Sequence, residues 1–405
     1  MPLITWNIPQ SVQLPNDESY NYLRNCPICN TSHTRDILTI ENFQFFCDDT
    51  VSKKFSLHEV QCENCGAIYL NPCFSDKGFE VLAGESGMSY GSSEIRPSER
   101  LSWIQQNHHL NDGEHVIDIG CGNGDFLKTL PTNIKKTGVD IDKPSIDKAQ
   151  QENQDITFIC SPFEKFNINE KVDLITMFHV LEHLPNPLLT LQKLHEIADF
   201  NTALLIEVPI IENGATNDIC GFLSALHLTH FSRNSFQNIL LLSGWDIIKL
   251  EEQKDYNGCR ILAKKGIVQE LPKLNPFEFS LPFQYLASWY GAVNKLEIKL
   301  RQIPTPSKCV IWGGGMHLEF LYQMTSLFRG EHQFIIIDID TLKQYKKWRG
   351  IEFYPPKILE NIIDDESIVY IPSSYKGHDA IVKNLLTQGV KQTSIITLYN
   401  YIKIC

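Results

Sequence analysis

The chain has no run of about 18 consecutive apolar residues, so no membrane-spanning helix is expected. Its N-terminus, Met1-Pro-Leu-Ile-Thr-Trp6, lacks a basic region leading into an apolar core, so no secretory signal is expected either. Positive charge is in short supply: 36 Lys and Arg face 48 Asp and Glu, a formal net charge of −12. That balance argues against a broad nucleic-acid footprint, which needs a basic face. Tandem repeats and low-complexity tracts are also missing. Twelve cysteines without a secretory signal point to a reducing cytoplasm, where cysteines ligate metal or pack as small apolar groups.

At 405 residues the chain exceeds what one hydrophobic core usually supports, so two or three domains are expected. Residues 1–20 are polar and read as an extended arm. Residues 21–75 hold six of the cysteines and form a first unit, and 76–265 form a second. Residues 266–303 are a connector and helix, with prolines at Pro272 and Pro276 marking the boundary. The helix spans Phe283 to Ile303, with Tyr285, Leu286, Trp289, Val293, Leu296 and Leu300 near one face; core packing is its default role, and a dimer contact the alternative. Residues 304–405 alternate strands and helices. A strand from Cys309 enters Gly313-Gly-Gly315, a helix covers 318–328, and Phe334-Ile-Ile-Ile-Asp-Ile-Asp340 is a buried strand. Ser367–Pro372 and Thr393–Leu398 are two more strands, with a helix at 380–388 between them. This predicts a smaller, second doubly wound sheet.

The most informative segment is Val116-Ile-Asp-Ile-Gly-Cys-Gly-Asn-Gly-Asp-Phe-Leu127. A short strand runs into Gly120, Gly122 and Gly124, and a helix begins near Asp125. Glycine is needed where a backbone turns tightly and approaches a ligand with no Cβ in the way. About 20 residues later the strand Lys136-Thr-Gly-Val-Asp-Ile-Asp142 ends in a carboxylate, where nucleotide-binding α/β folds hold ribose hydroxyls. The cysteines carry a second signal. Cys26-Pro-Ile-Cys29 and Cys62-Glu-Asn-Cys65-Gly66 are two C-x-x-C knuckles able to place four thiolates around Zn²⁺, leaving no open coordination position. The long gap between them predicts a small β insertion around Phe43 to His58, and Cys47, Cys73, His33 and His58 are fallback ligands.

The glycine turn, with Asp118 two residues ahead of Gly120, resembles motif I of class I S-adenosylmethionine-dependent methyltransferases. Val172-Asp-Leu-Ile-Thr-Met-Phe-His-Val-Leu-Glu-His-Leu-Pro-Asn-Pro187 is similar to that family's fourth strand and following helix. Ala203–Pro209 resembles its fifth strand, and His230-Phe-Ser232 with Ser243-Gly-Trp245 its closing segments. The resemblance covers about residues 76–265. With the knuckles before it and the glycine-turn unit after it, the layout resembles the bacterial three-domain, zinc-binding sugar C-methyltransferases. It implies a Rossmann-like class I methyltransferase domain, an N-terminal four-cysteine zinc-binding domain and a smaller C-terminal Rossmann-like domain. The implied activity is methyl transfer from S-adenosylmethionine to a small-molecule acceptor, a nucleotide-activated (keto)sugar. A non-sugar acceptor or glycan terminus, and an inactive cofactor-binding scaffold, are the alternatives. No nucleic-acid or membrane partner is implied, and the chain is expected as a monomer or homodimer.

The same resemblance implies site residues. Asp118, Gly120, Gly122, Asp140, Ile141, Ser161, Pro162, Phe178 and His179 would meet the cofactor. Asp140 would hold the ribose hydroxyls and Ile141 would pack on adenine, while Ser161 stands where many relatives carry an adenine-binding Asp. Tyr90, in a Gly/Ser loop, resembles the tyrosine of a segment that closes over the cofactor. The sugar enzymes' Y-H-E-H motif corresponds here to Ser224-Ala-Leu-His227, so His227 falls on the presumed base. Ala225 and Leu226 replace the first histidine and the glutamate, which leaves the C- or O-methyl outcome open. His179, Glu182 and His183 have i, i+3, i+4 spacing, which groups them if a helix has already started. His179 and His183 could serve cofactor and acceptor, or the three could bind a divalent cation, as a similar E-x-x-E-H segment does in ubiquinone-type O-methyltransferases.

Overall fold

The computed structural model describes residues 4–10, 18–44, 47–48, 54–79, 96–166, 170–212, 226–253, 258–270, 275–374 and 377–398. Its largest element is a seven-stranded sheet. In chain order the strands are His115–Ile119, Lys135–Asp140, Thr157–Cys160, Leu174–Phe178, Ala203–Pro209, Trp245–Glu252 and Gly258–Lys265. Side by side they run 3-2-1-4-5-7-6. The first five are parallel, and the seventh is antiparallel to both of its neighbours. Leu174–Phe178 is buried at every position, as parallel strands are when helices cover both faces. Two apolar cores lie on the two faces, one around Leu191, Phe236 and Trp245, the other around Trp103, Phe126 and Leu205. The crossover between the first and fourth strands is the switch point, and the glycine turn opens there.

The N-terminal unit has little core of its own. Its hairpin is longer than the expected insertion, pairing Thr34–Gln44 with Lys54–Cys62. Ile68–Leu70 adds a third strand, and Thr229–His230, next to the exit of the strand Ala203–Pro209, adds the fourth. Arg24 fastens the same joint, donating to Pro185 O and Leu228 O, each at 2.6 Å.

A five-stranded sheet follows, ordered Lys347–Trp348, Ile351–Tyr354, Gln333–Ile337, Lys308–Trp312, Ile368–Pro372 and parallel except at the first pair. The helix Leu281–Leu300 buries Tyr285, Trp289, Ala292, Leu296 and Leu300 in a core shared with the N-terminal hairpin and this sheet, while Tyr290 and Ile298 face water. A buried ion pair borders the same seam: Arg349 Nη2 lies 2.6 Å from Glu319 Oε1 and donates across the seam to Asn42 O. Near the N-terminus, Asn7 exchanges backbone hydrogen bonds with Phe334, and Ile4 and Trp6 pack on the sheet's outer core.

Two expected elements differ. The helix placed at 318–328 is Met316–Met324 followed by a 3₁₀ turn, Leu327–Arg329. Thr393–Leu398 is no strand: a 3₁₀ turn covers Gln392–Ser394, and Ile395 makes a single bridge to Tyr370. Its apolar residues are explained by burial, since Ile395 and Leu398 both sit in cores. Among the described residues no helix is long and apolar enough to cross a membrane.

Candidate active site

The glycine turn is shaped by its neighbours. Gly120, Gly122 and Gly124 have φ of 72°, 53° and 73°, the left-handed region that favours glycine. A Cβ at Gly120 would come 2.2 Å from Val180 Cγ2, whereas one at Gly122 would meet nothing within 4 Å. The turn therefore closes against the fourth strand's exit at Gly120 and opens at Gly122. Asp140, at the end of the second strand, accepts the Gly122 N–H at 2.8 Å and the Asp142 N–H at 2.9 Å. Each carboxylate oxygen keeps a lone pair for a hydroxyl donor. Ile141 is 64% exposed beside it, a large apolar side chain in water. Ser161 donates its N–H to Asp140 O, and Pro162 begins the next 3₁₀ turn, so both stand at the same strand ends. This set fits the ribose and adenine of S-adenosylmethionine. Asp118 lies beneath the turn, 4% exposed, and accepts from Thr176 Oγ1 at 2.7 Å. Burial pushes its carboxyl up to about 7, with the Thr176 hydroxyl and the Arg100 guanidinium acting the other way, so an incoming cation would favour its ionised form.

The fourth strand's exit carries the next group. Phe178 does not line an open surface: it packs edge-on to Phe126, and Arg100 lies 4.2 Å over its ring. His179 has φ 58°, so no helix has started there. A 3₁₀ turn covers Leu181–His183, and the α-helix begins only at Pro187. His179, Glu182 and His183 are still brought together, with Glu182 Oε1 3.3 Å from His179 Nδ1 and 3.8 Å from His183 Nε2. The other side of the His179 ring faces Glu207 Oε1 at 2.9 Å. Burial alone would lower the His179 pKa, but the Glu182 and Glu207 carboxylates outweigh it and the net shift is upward. Glu207 is itself clamped by Arg260, and Arg100 Nη2 lies 3.2 Å away. Arg260 also makes a bidentate pair with Glu99, at 2.6 and 2.5 Å. Despite burial, His179 first and then Arg260 and Arg100 hold the Glu207 carboxyl well below its ordinary range.

His227 meets this cluster from the chain leading into the Cys-rich sheet. Its ring centroid is 4.9 Å from His183 and 6.1 Å from His230. His183 is oriented by a 2.7 Å contact from Nδ1 to Leu226 O, which leaves Nε2 toward Glu182. Burial, with the rings of His183, His230 and His179 adding to it, drives the His227 pKa well below the usual imidazole range. The two neighbouring imidazoles are thus shifted in opposite directions, His227 toward its neutral form and His179 toward its charged form, the kind of split that separates base from cation. Glu182, His183 and His227 offer ligand atoms within 4.8 Å of one another, so the trio that could hold a cation includes His227 rather than His179. Tyr90 lies outside the described residues.

Sequence reasoning missed three contributors: Glu59, His230 and the Glu207–Arg260 pair. Glu59 belongs to the Cys-rich sheet, is fully buried, and lies 3.1 Å from His230 Nε2. Among the described residues, Glu59 Oε2, both Glu182 oxygens and Thr229 Oγ1 lack a hydrogen-bond partner. The available signal was a charge inside an apolar run, as in Leu204-Leu-Ile-Glu-Val208 and Gly258-Cys-Arg-Ile-Leu262.

The four cysteines converge. Cys26 and Cys65 Sγ are 3.6 Å apart, Cys29 and Cys62 Sγ 3.5 Å, and all four lie within 4.8 Å. A tetrahedron with Zn–S bonds of about 2.3 Å has S···S edges of roughly 3.8 Å, so the set fits a zinc ion. The two knuckles are built alike: Asn30 N–H donates to Cys26 O and Gly66 N–H to Cys62 O, with φ of 59° and 76°. The N–H groups of Asn64 and Cys65 point at Cys62 Sγ. Of the fallback ligands, Cys47 and Cys73 lie in the hydrophobic core and His58 sits between Thr39 and Asp36, while His33 O accepts from Glu63 N–H in the second knuckle.

Residues 94–250 match the family model described as a methyltransferase domain. A ubiquinone biosynthesis O-methyltransferase of Coxiella burnetii is 35% identical over 94 residues, which is 22% of this chain and 40% of that protein. One from Actinobacillus pleuropneumoniae is 32% identical over 104 residues, 23% and 44% of the two chains. The chain thus spans less than half the length of these curated relatives. Among solved structures, magnesium protoporphyrin IX methyltransferase from Synechocystis, with S-adenosylhomocysteine bound, shares 19% identity at a TM-score of 0.36, covering 47% of this chain and 95% of that one. A methyltransferase from Clostridium acetobutylicum shares 11% at a TM-score of 0.37, covering 47% and 98%.

Proposed function

We propose that this chain transfers a methyl group from S-adenosylmethionine to a small-molecule acceptor, with His227 as the base. One observation carries the reading: a hydroxyl-accepting carboxylate and an open glycine turn sit at one strand end, and the next strand's exit leads, through Val180, His179 and Glu182, to the half-buried imidazole of His227, whose pKa is lowered. When bound, the cofactor supplies an electrophilic methyl on a sulfonium. Asp140 holds its ribose hydroxyls, Ile141 covers its adenine, and Asp118 pairs with its ammonium. His179 holds a proton against Glu182 and Glu207 and so fixes the floor of the cleft. His227 takes the acceptor's proton, and His183 orients the acceptor from the side.

The acceptor we assign is a nucleotide-activated sugar, following the resemblance over the whole layout. The residues that depart from it, Ala225 and Leu226, leave a carboxylate and an imidazole to be supplied from elsewhere. Glu59 and His230 bring both to the same pocket. A phenolic acceptor is the second reading, favoured by the relatives named for ubiquinone biosynthesis. The thiolates of Cys26, Cys29, Cys62 and Cys65 hold a structural zinc that keeps the Glu59 strand in place. Incubating the protein with labelled S-adenosylmethionine and a panel of nucleotide-linked sugars, ketosugars and phenolic acids tests the assignment. Label in a nucleotide sugar supports the first reading, and label only in phenols supports the second.

A further inference from the structure

The water-facing side of helix Leu281–Leu300 is short of charge. From Pro276 to Asn294 the chain carries one charged side chain in nineteen residues, against 21% over its whole length. That one, Glu278, is itself buried and accepts from Ser232 Oγ at 2.7 Å. A surface helix normally turns its apolar residues inward and its charges outward. Here the inward side is already filled by Tyr285, Trp289, Ala292, Leu296 and Leu300. The outward side holds a second apolar set. Phe283 is 48% exposed, Tyr290 70% and Ile298 66%, and Phe277 in the preceding 3₁₀ turn is 59% exposed. At helical spacing Phe283, Tyr290 and Ile298 share one face with Ala287, Gly291 and Asn294, which are exposed as well. Exposed aromatics without charge are the make-up of an interface core.

Gly291 adds a separate observation. It lies in the middle of a 20-residue helix, where glycine is a poorer choice than alanine because it loses more backbone freedom on folding. Nothing within the chain calls for it, since a Cβ there would meet nothing within 4 Å. A bare spot beside an exposed tyrosine leaves room for a bulky group from outside. We propose that this face is the contact of a homodimer, its two copies of the helix crossing antiparallel about a two-fold axis between Tyr290 and Gly291.

The face is self-complementary about that point. An axis there sets Tyr290 level with Gly291 of the second copy, Ala287 level with its Asn294, and Phe283 level with its Ile298. Large meets small at the centre and apolar meets apolar at both ends, each contact occurring twice as an isologous interface requires. Charge allows the approach. Two copies of net charge −12 meet along a strip bordered by Lys295, and Glu297, the next acid along the helix, is occupied in accepting from Ser326 Oγ at 2.7 Å. Taking about 200 Å² for each large side chain, the exposed parts of Phe277, Phe283, Tyr290 and Ile298 come to roughly 500 Å² per copy. Two copies bury about 1,000 Å², the lower bound for a specific interface, so the dimer is reversible with a Kd in the micromolar range.

The proposal is independent of methyl transfer, and sedimentation velocity of the full chain from about 1 to 200 µM tests it. Wild type is expected to pass from monomer to dimer across that range. Gly291→Glu places a long charged side chain in open space on a better helix former. Its melting temperature is expected to be no lower than that of wild type, while self-association weakens about tenfold or more. Tyr290→Glu is expected to weaken association to a similar extent, and unchanged S-adenosylhomocysteine binding reports that both variants are folded. Three results would each overturn the proposal. One is a wild-type monomer at about 200 µM, and another is a dimer that either variant leaves at wild-type strength. The third is a monomer that sediments with phosphatidylcholine vesicles, which would assign the face to a lipid surface.

Discussion

Two clusters of buried ligand-type side chains sit beside the same four-stranded sheet, and they differ in how well they are satisfied. At the knuckles, four thiols face one another and backbone N–H groups point at sulfur. At the histidine pocket, two buried carboxylates, Glu59 and Glu182, keep oxygens with no hydrogen-bond partner among the described residues. Buried polar groups are normally paired, so unpaired ones mark where a ligand completes the set. The thiols face one another, whereas the carboxylates of the histidine cluster leave lone pairs open to a ligand.

The largest effect tests the closed half. A Cys26→Ser/Cys62→Ser double variant is expected to lose its zinc and to destabilise the N-terminal sheet by several kcal/mol (~5 or more), because so small a unit depends on the metal. Elemental analysis and thermal unfolding read both losses; zinc retained at wild-type stoichiometry would break the contrast.

The open half should respond in chemistry before stability. His227→Gln is expected to slow methyl transfer by roughly 10²–10⁴-fold, the usual worth of a general base. Because its folded pKa lies well below 6.5, the base stays deprotonated into acid, and the acid limb of kcat/KM is expected below pH 6.5. A limb above that value would mean another group is titrating.

Between the two lies the Glu207–Arg260 pair, which supports the pocket and is itself fully buried. Arg260→Met removes the fully buried partner of Glu207, leaving it Arg100 and His179, and is expected to cost up to about 3–5 kcal/mol, with partial recovery in an Arg260→Met/Glu207→Gln double variant. Equal destabilisation in the single and double variants would show the pair is not coupled. His179 gives a smaller effect of known sign. Its folded pKa is raised, so its contribution is complete below an unfolded value near 6.5 and disappears as pH rises through the folded pKa. The melting-temperature gap between wild type and His179→Gln should therefore be wider at pH 5.5 than at pH 9. Smallest of all is Ser232, which caps helix Arg233–Leu242 through Ser235 N at 3.0 Å; Ser232→Ala should cost about 1 kcal/mol.

The closed cluster was legible in the sequence and the open one only partly. The knuckles are local patterns, and so is the glycine turn with Asp140, because a strand, a turn and the next strand fix their register within about 20 residues. Glu59 and His230 are 171 positions apart and meet only because Thr229–His230 pairs with Ile68–Leu70 across two units. No spacing rule reports that. The 179–183 segment failed differently: its helical spacing suggested a helix, but a positive φ at His179 and Pro187 at the true helix start put the same side chains together by a 3₁₀ turn.

The central claim is that the unsatisfied pocket is a methyl acceptor site served by His227. Label transfer from S-adenosylmethionine to a nucleotide-linked ketosugar, measured for wild type and His227→Gln alongside S-adenosylhomocysteine affinity, tests it most directly. The account predicts transfer by wild type and its loss in the variant with cofactor affinity unchanged; transfer by the variant at the wild-type rate would contradict it.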